Sequence, residues 1–111
     1  MKVSHQNFEH IALMTLSGEF TADDVELFRR STNERMSAGT RHIVLDFENV
    51  DFVDSAALEA MLRLQERLGP NGGQLRLIKL DSTVERILEL TRLDLAFETQ
   101  DTIELAVRSL R

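Results

Sequence analysis

Apolar and polar positions alternate between short, densely apolar runs and longer stretches with helical spacing. Ile11-Ala12-Leu13-Met14-Thr15-Leu16, closed by Ser17-Gly18, reads as a buried strand, and a weaker edge strand is expected before it near Val3. Thr21-Ala22-Asp23-Asp24 has the Ser/Thr-x-x-acid form of a capping box. Val25, Leu27, Phe28, Thr32 and Met36 then continue a helix up to Gly39. His42-Ile43-Val44-Leu45-Asp46-Phe47, β-branched at its centre, predicts a second buried strand, followed by a loop through Val50 and Phe52. From Ser55 the period changes. Ala57, Leu58, Met61, Leu62, Leu64, Gln65 and Leu68 occupy one broad helical face that ends at Gly69-Pro70.

The run Gly69-Pro70-Asn71-Gly72-Gly73 is a turn joining elements of one domain. Leu75-Arg76-Leu77-Ile78-Lys79-Leu80 predicts a third strand, with Arg76 and Lys79 marking a face that reaches solvent. Ser82-Thr83-Val84-Glu85 is a second capping box, for a helix turning Ile87, Leu88 and Leu90 or Thr91 inward. A short strand near Ala96-Phe97-Glu98 follows. Asp101 then caps a last helix with Ile103, Leu105 or Ala106, and Leu110 inward.

Strands alternating with helices require right-handed crossovers. The expected class is α/β: one domain over residues 1–111, with a mostly parallel or mixed sheet of four to five strands and about four helices. The strands ending at Gly18, Asp46 and Leu80 then deliver their carboxyl ends to one edge, where ligands and partners of open α/β sheets engage.

Composition narrows the function. A chain of 111 residues has room for one core. Its 13 Lys+Arg against 19 Asp+Glu give a net charge of −6, which opposes binding to nucleic acid or anionic lipid and favours a basic partner surface. With no cysteine, disulfides, thiolate metal sites and cysteine nucleophiles are excluded. No apolar run approaches the roughly 20 residues of a membrane helix, and the first residues lack a signal-peptide core, so a cytoplasmic protein without membrane insertion is expected. His5, His10 and His42 match no metal-ligand spacing, and the glycines form neither a phosphate-binding loop nor a dinucleotide fingerprint. Neither metal, cofactor nor catalytic residue is expected.

The informative stretch runs from Asp46 to Leu58, where a strand ends in Asp and an Asp54-Ser55 pair opens a helix whose first turn holds only small residues. Asp54 or Ser55 takes the N-cap role, and such a helix start also accommodates a phosphoryl group. Beside Asp51 and Asp54, the added charge of about −1.5 to −2 would repel an acidic partner.

Val44-Leu45-Asp46, Val50-Asp51-Phe52-Val53-Asp54-Ser55, Leu58 and Gly73-Gln74-Leu75-Arg76-Leu77 resemble the STAS domain, the fold of bacterial anti-sigma factor antagonists. The likeness extends from Leu16-Ser17-Gly18-Glu19 to Ile87-Leu88-Glu89-Leu90-Thr91-Arg92-Leu93-Asp94 and the last helix. It implies a non-catalytic regulator that binds an anti-sigma factor, often a serine kinase with an ATPase fold, and is released by phosphorylation at the start of the second helix. Partner contacts are then expected at Gly18, Thr21, Asp51, Asp54, Ser55, Ala56 and Ala57.

The family's Asp-Ser-Ser-Gly-Leu stands here as Asp54-Ser55-Ala56-Ala57-Leu58. Ala56 therefore occupies the phosphoserine position, and Ser55 is the substitute site, turned by about 100° on the helix. Thr21 also replaces the family's early Asp. A second reading is an accessory subunit binding the ATPase of a lipid-trafficking transporter, since the Ser-Gly part of the motif varies more there. A third is a small-molecule sensor using the same edge.

Overall fold

The computed structural model describes residues 1–110; Arg111 lies outside the described residues. Its strands are β1 (Lys2–Phe8), β2 (Ile11–Phe20), β3 (His42–Val53), β4 (Leu75–Ile78) and β5 (Glu98–Gln100). Its helices are α1 (Val25–Ser37), α2 (Ser55–Leu68), α3 (Ser82–Leu90) and α4 (Ile103–Ser109), with 3₁₀ turns at Ala22–Asp24 and Gly69–Asn71. One five-stranded sheet has the order β1-β2-β3-β4-β5. β1 and β2 form an antiparallel hairpin, and the remaining neighbours are parallel. The expected α/β architecture with a mixed sheet and four helices is what forms.

Each crossover steps one strand in the same direction, so right-handed connections place α1, α2 and α3 on one face. The main core lies there. Ala12, Met14 and Leu16 of β2, Ile43, Leu45 and Phe47 of β3, and Leu75 and Leu77 of β4 pack with Phe28, Met61, Leu64, Val84 and Leu88 of the helices. The Phe20 and Phe28 rings meet at 4.8 Å between centroids. α4 covers the opposite face with a smaller cluster of Val44, Ile78 and Ala106.

Several boundaries differ from the sequence reading. β1 is a full strand of seven residues. β2 continues past Gly18 to Phe20, β4 stops at Ile78 rather than Leu80, and the last strand is Glu98–Gln100, beyond Ala96 and Phe97. β3 runs to Val53 where a loop was expected. The reason lies in the register: Thr15 pairs with Asp46 but Ser17 with Asn49, and Gly18 pairs with Val50 but Glu19 with Phe52. Each shift inserts an extra residue into β3, so Phe47, Val50 and Val53 turn inward at every third position. A strand with that spacing carries no period-two signal.

The α3 cap is Asp81, not Ser82, and the α4 cap is Thr102, not Asp101. In α3 the buried side chains are Val84 and Leu88; Leu90 and Thr91 are exposed. Of the two candidates in α4, Ala106 is buried and Leu105 exposed. Arg76 does not face solvent, because α4 covers its side of the sheet. Its guanidinium donates to Ser109 Oγ at 2.7 Å, to the Ser109 and Leu75 carbonyls and to Gln74 Oε1, which supplies the partners a buried cation needs. His42 is also buried; its Nδ1 accepts from the Gln74 N–H at 3.0 Å.

Candidate functional site

The carboxyl ends of β2, β3 and β4 open onto the edge where α1, α2 and α3 begin. Two of these three junctions are tied together. Asp54 leaves β3 with extended backbone and caps α2, its Oδ1 accepting from the Ala57 N–H at 2.9 Å. Its Oδ2 accepts from the Ala22 N–H, also at 2.9 Å, in the 3₁₀ turn that follows β2. The Asp54 N–H donates in turn to the Phe20 carbonyl at 3.2 Å. One carboxylate shared by two backbone donors sets the spacing between the turns.

Thr21 and Asp24 stiffen the first of these turns. The Asp24 carboxylate accepts from the Thr21 N–H at 3.0 Å, from its hydroxyl at 3.3 Å and from the Met1 amino group at 3.2 Å. The Thr21 N–H bond, foremost, holds the Asp24 carboxyl below its ordinary range, and the Met1 ammonium adds to it. Gly18 sits beside the second β3 bulge with φ +97°, while a Cβ there would lie 3.7 Å from Met1 Cα. Space is adequate; the positive φ is what requires glycine.

Between the two turns lies an open groove of about 300 Å³ lined by Ala22, Val25, Ala56, Glu59, Ala60 and Arg63. Ala56 is partly exposed on it and Ser55 exposed beside it, whereas Ala57 is buried in the core. A partner on this edge would therefore meet the methyl of Ala56, with Ala57 contributing its N–H to the Asp54 cap. Arg63 and Glu59 pair at 2.7 Å along the groove wall. Asp51 and Phe52 stand exposed on the β3 overhang, Phe52 at 39%.

The third junction is built differently. Lys79 adopts φ +58°, and its Nζ reaches Glu48 at 3.2 Å and Asp46 at 3.9 Å; the Glu48 hydrogen bond is the main cause that raises its pKa. Among the described residues, no group of three or more His, Asp or Glu side chains is placed to hold a metal ion, and no helix is long and apolar enough to cross a membrane.

The site thus gathers Gly18, Thr21, Asp54, Ser55 and Ala56 on one edge, with Asp51 on the overhang beside it. Sequence reading missed Ala22, Val25, Glu59, Ala60 and Arg63, which join them only across the α1–α2 contact. Small or charged residues at helical spacing carry no signal of their own that would have found these.

The STAS domain family model matches residues 2–106. A Thermotoga maritima protein assigned to the anti-sigma factor antagonists is 26% identical over 104 residues, covering 93% of this chain and 92% of its own. The anti-sigma F factor antagonist of Paenibacillus polymyxa is 23% identical over 94 residues, covering 84% and 80%. Among solved structures, the anti-sigma factor antagonist SpoIIAA in its unphosphorylated form superposes with a TM-score of 0.81 at 20% identity, covering 96% of this chain and 93% of that one. From β1 into α4, by family model and by fold, this chain belongs to the STAS domain family.

Proposed function

We propose that this protein is a non-catalytic, cytoplasmic anti-sigma factor antagonist, which binds an anti-sigma factor through the edge formed by the Gly18 to Thr21 turn, the β3 overhang and the start of α2. The observation that carries this is the groove between two turns locked together by Asp54, with Ala56 on its wall. Sequence relatives matched over 84% and 93% of the chain are an anti-sigma F factor antagonist and a protein assigned to the anti-sigma factor antagonists, which supports the same class of partner here. An exposed Phe52 beside acidic Asp51 matches a partner surface with an apolar centre and a basic rim.

The antagonist works without the family's usual phosphoserine switch. Ala56 has no hydroxyl, and a kinase-type ATPase partner that docks over this groove finds a methyl at the modified position. Ser55 is exposed one residue earlier, directed away from that point by the helical turn. Control of the complex then falls to competition between partners or to their abundance.

The test is affinity capture from an extract of the source organism, with bound proteins identified by mass spectrometry and compared with an Ala56→Arg variant. Ala56 is the better control position than buried Ala57, where a large side chain would disrupt the fold. Recovery of an anti-sigma factor, lost in the variant, supports the reading. Recovery of a transporter ATPase instead moves the protein to the accessory class. Incubation of the captured kinase-type partner with the protein and ATP should add no phosphate by intact mass; stoichiometric phosphate on Ser55 would overturn the unswitched form.

A further inference from the structure

Past the groove, away from the site edge, the α1–α2 seam gathers three arginines on a chain whose net charge is −6. Val25, Arg29 and Thr32 follow one another along α1, and Ala60, Arg63 and Arg67 along α2, at the spacing that puts side chains on one helical face. Arg29 pairs with Glu26 one turn back, and Arg63 with Glu59 at 2.7 Å. Among the described residues Arg67 has no such carboxylate.

Arg67 is half-buried and reaches across the seam. Its Nη2 donates to Oγ1 of fully buried Thr32 at 3.0 Å, and that hydroxyl donates in turn to the Phe28 carbonyl at 2.9 Å. Its Nε is the one buried side-chain nitrogen or oxygen without a hydrogen-bond partner among the described residues. Nη1 also makes no hydrogen bond to them, but it is not buried. A cation held this way is costly, because no opposite charge offsets its desolvation. Burial, foremost, and the charge of Arg29 beside it lower the Arg67 pKa from its ordinary value, the same cost expressed through the proton. An apolar side chain would fill the position at less cost, so packing does not account for a guanidinium here.

A carboxylate brought from outside supplies what is missing. We propose that the seam receives one Asp or Glu side chain of the docked protein partner, held by Arg67 through Nη1 with the charges of Arg29 and Arg63 beside it. This rests on the docking reading given above and adds to it the sign and place of one contact. Arg67 follows Ala56 on the same helix at a distance of about 16 Å along the axis. The partner's footprint is therefore two-ended, basic where it meets Asp51 on the β3 overhang and acidic where it crosses the seam. The net charge of −6 disfavours a polyanion such as nucleic acid, and a single unpaired guanidinium suits a single carboxylate.

A probe of known charge tests the seam without the partner. In the isotope-labelled full chain at low salt, N-acetyl-hexaglutamate amide should shift the Nε–Hε resonances of Arg67 and Arg63 with a millimolar midpoint, leaving those of Arg41, Arg92 and Arg108 in place. Arg67→Met should melt at the temperature of the parent or higher, since it removes an unpaired cation, yet bind the captured anti-sigma factor about tenfold more weakly. Arg67→Lys, which keeps the charge but not the planar fork, should weaken that binding about threefold. Seam resonances that stay in place, or that move no more than those of the other arginines, overturn the inference. So does a markedly lower melting temperature of Arg67→Met, which would assign the guanidinium to the fold. Undiminished binding by Arg67→Met where Ala56→Arg loses the anti-sigma factor overturns it too and leaves the docking edge standing. An anti-sigma factor indifferent to both variants removes the edge, and the inference with it.

Discussion

Asp54 and Asp81 begin as the same piece of chemistry. Each follows a strand, each holds an extended backbone, and each accepts the N–H three residues on, from Ala57 at 2.9 Å and Val84 at 2.8 Å. They differ in the second oxygen. That of Asp54 binds the Ala22 N–H across 32 residues of sequence, and among the described residues that of Asp81 makes no such bond. Strand alignment is the cause. β2 and β3 end flush, with Phe20 paired to Val53, so the turns after them lie side by side. β4 ends at Ile78 opposite Asp46, while β3 runs on to Val53, which leaves the start of α3 offset from the start of α2. A cap is a local device, and a staple between loops needs two strands that finish together.

The largest expected effect tests that contrast directly. Asp54→Ala should cost about 2–3 kcal/mol of unfolding free energy, the sum of a lost cap and a lost charged hydrogen bond, against about 1 kcal/mol for Asp81→Ala. Equal losses in urea denaturation would break the comparison. Asp54→Ser retains a capping hydroxyl for Ala57 but cannot also reach Ala22, so its loss should be about half that of alanine. A loss as large as alanine's would assign the whole effect to the bond between the turns.

Asp24, which supports the same stapled pair, should show its contribution through pH. Its folded pKa lies below the ordinary 3.8, so the native state binds the proton less readily than the unfolded chain. The stabilisation is therefore fully present above that unfolded value and lost as pH falls through the lower folded one. Asp24→Asn should cost about 1 kcal/mol near neutral pH, with the deficit closing below pH 3.8 in thermal melts taken across that range. A deficit independent of pH would mean that the charge is not what stabilises the turn. A comparable effect is expected from Gly18→Ala, about 1–2 kcal/mol, because its φ of +97° strains an alanine although its surroundings have room for the methyl. A much larger loss would show that the bulge beside it tolerates no rearrangement.

Much of this architecture is legible in the residues themselves. Apolar spacing identifies the helices from Val25, Ser55 and Ser82, and the motif from Val50 to Leu58 points to the family and to the candidate edge. The chain determines these because helical period, β-branched runs and capping residues act over a few neighbours. It also determines that residue 56 is an alanine without a hydroxyl, the observation on which the proposed absence of a phosphoserine switch rests.

Tertiary structure decides the rest. The β3 extension is concealed because two bulges turn Phe47, Val50 and Val53 inward, a spacing set by pairing with β2 rather than by the strand's own pleat. Arg76 reads as a solvent-facing residue until α4 folds over it and Ser109 accepts its hydrogen bonds. Asp54 reads as a cap, and only the flush ends of β2 and β3 bring Ala22 within reach of its second oxygen. Local energetics choose the elements of this protein; the site forms because parallel pairing of distant segments lines up their ends.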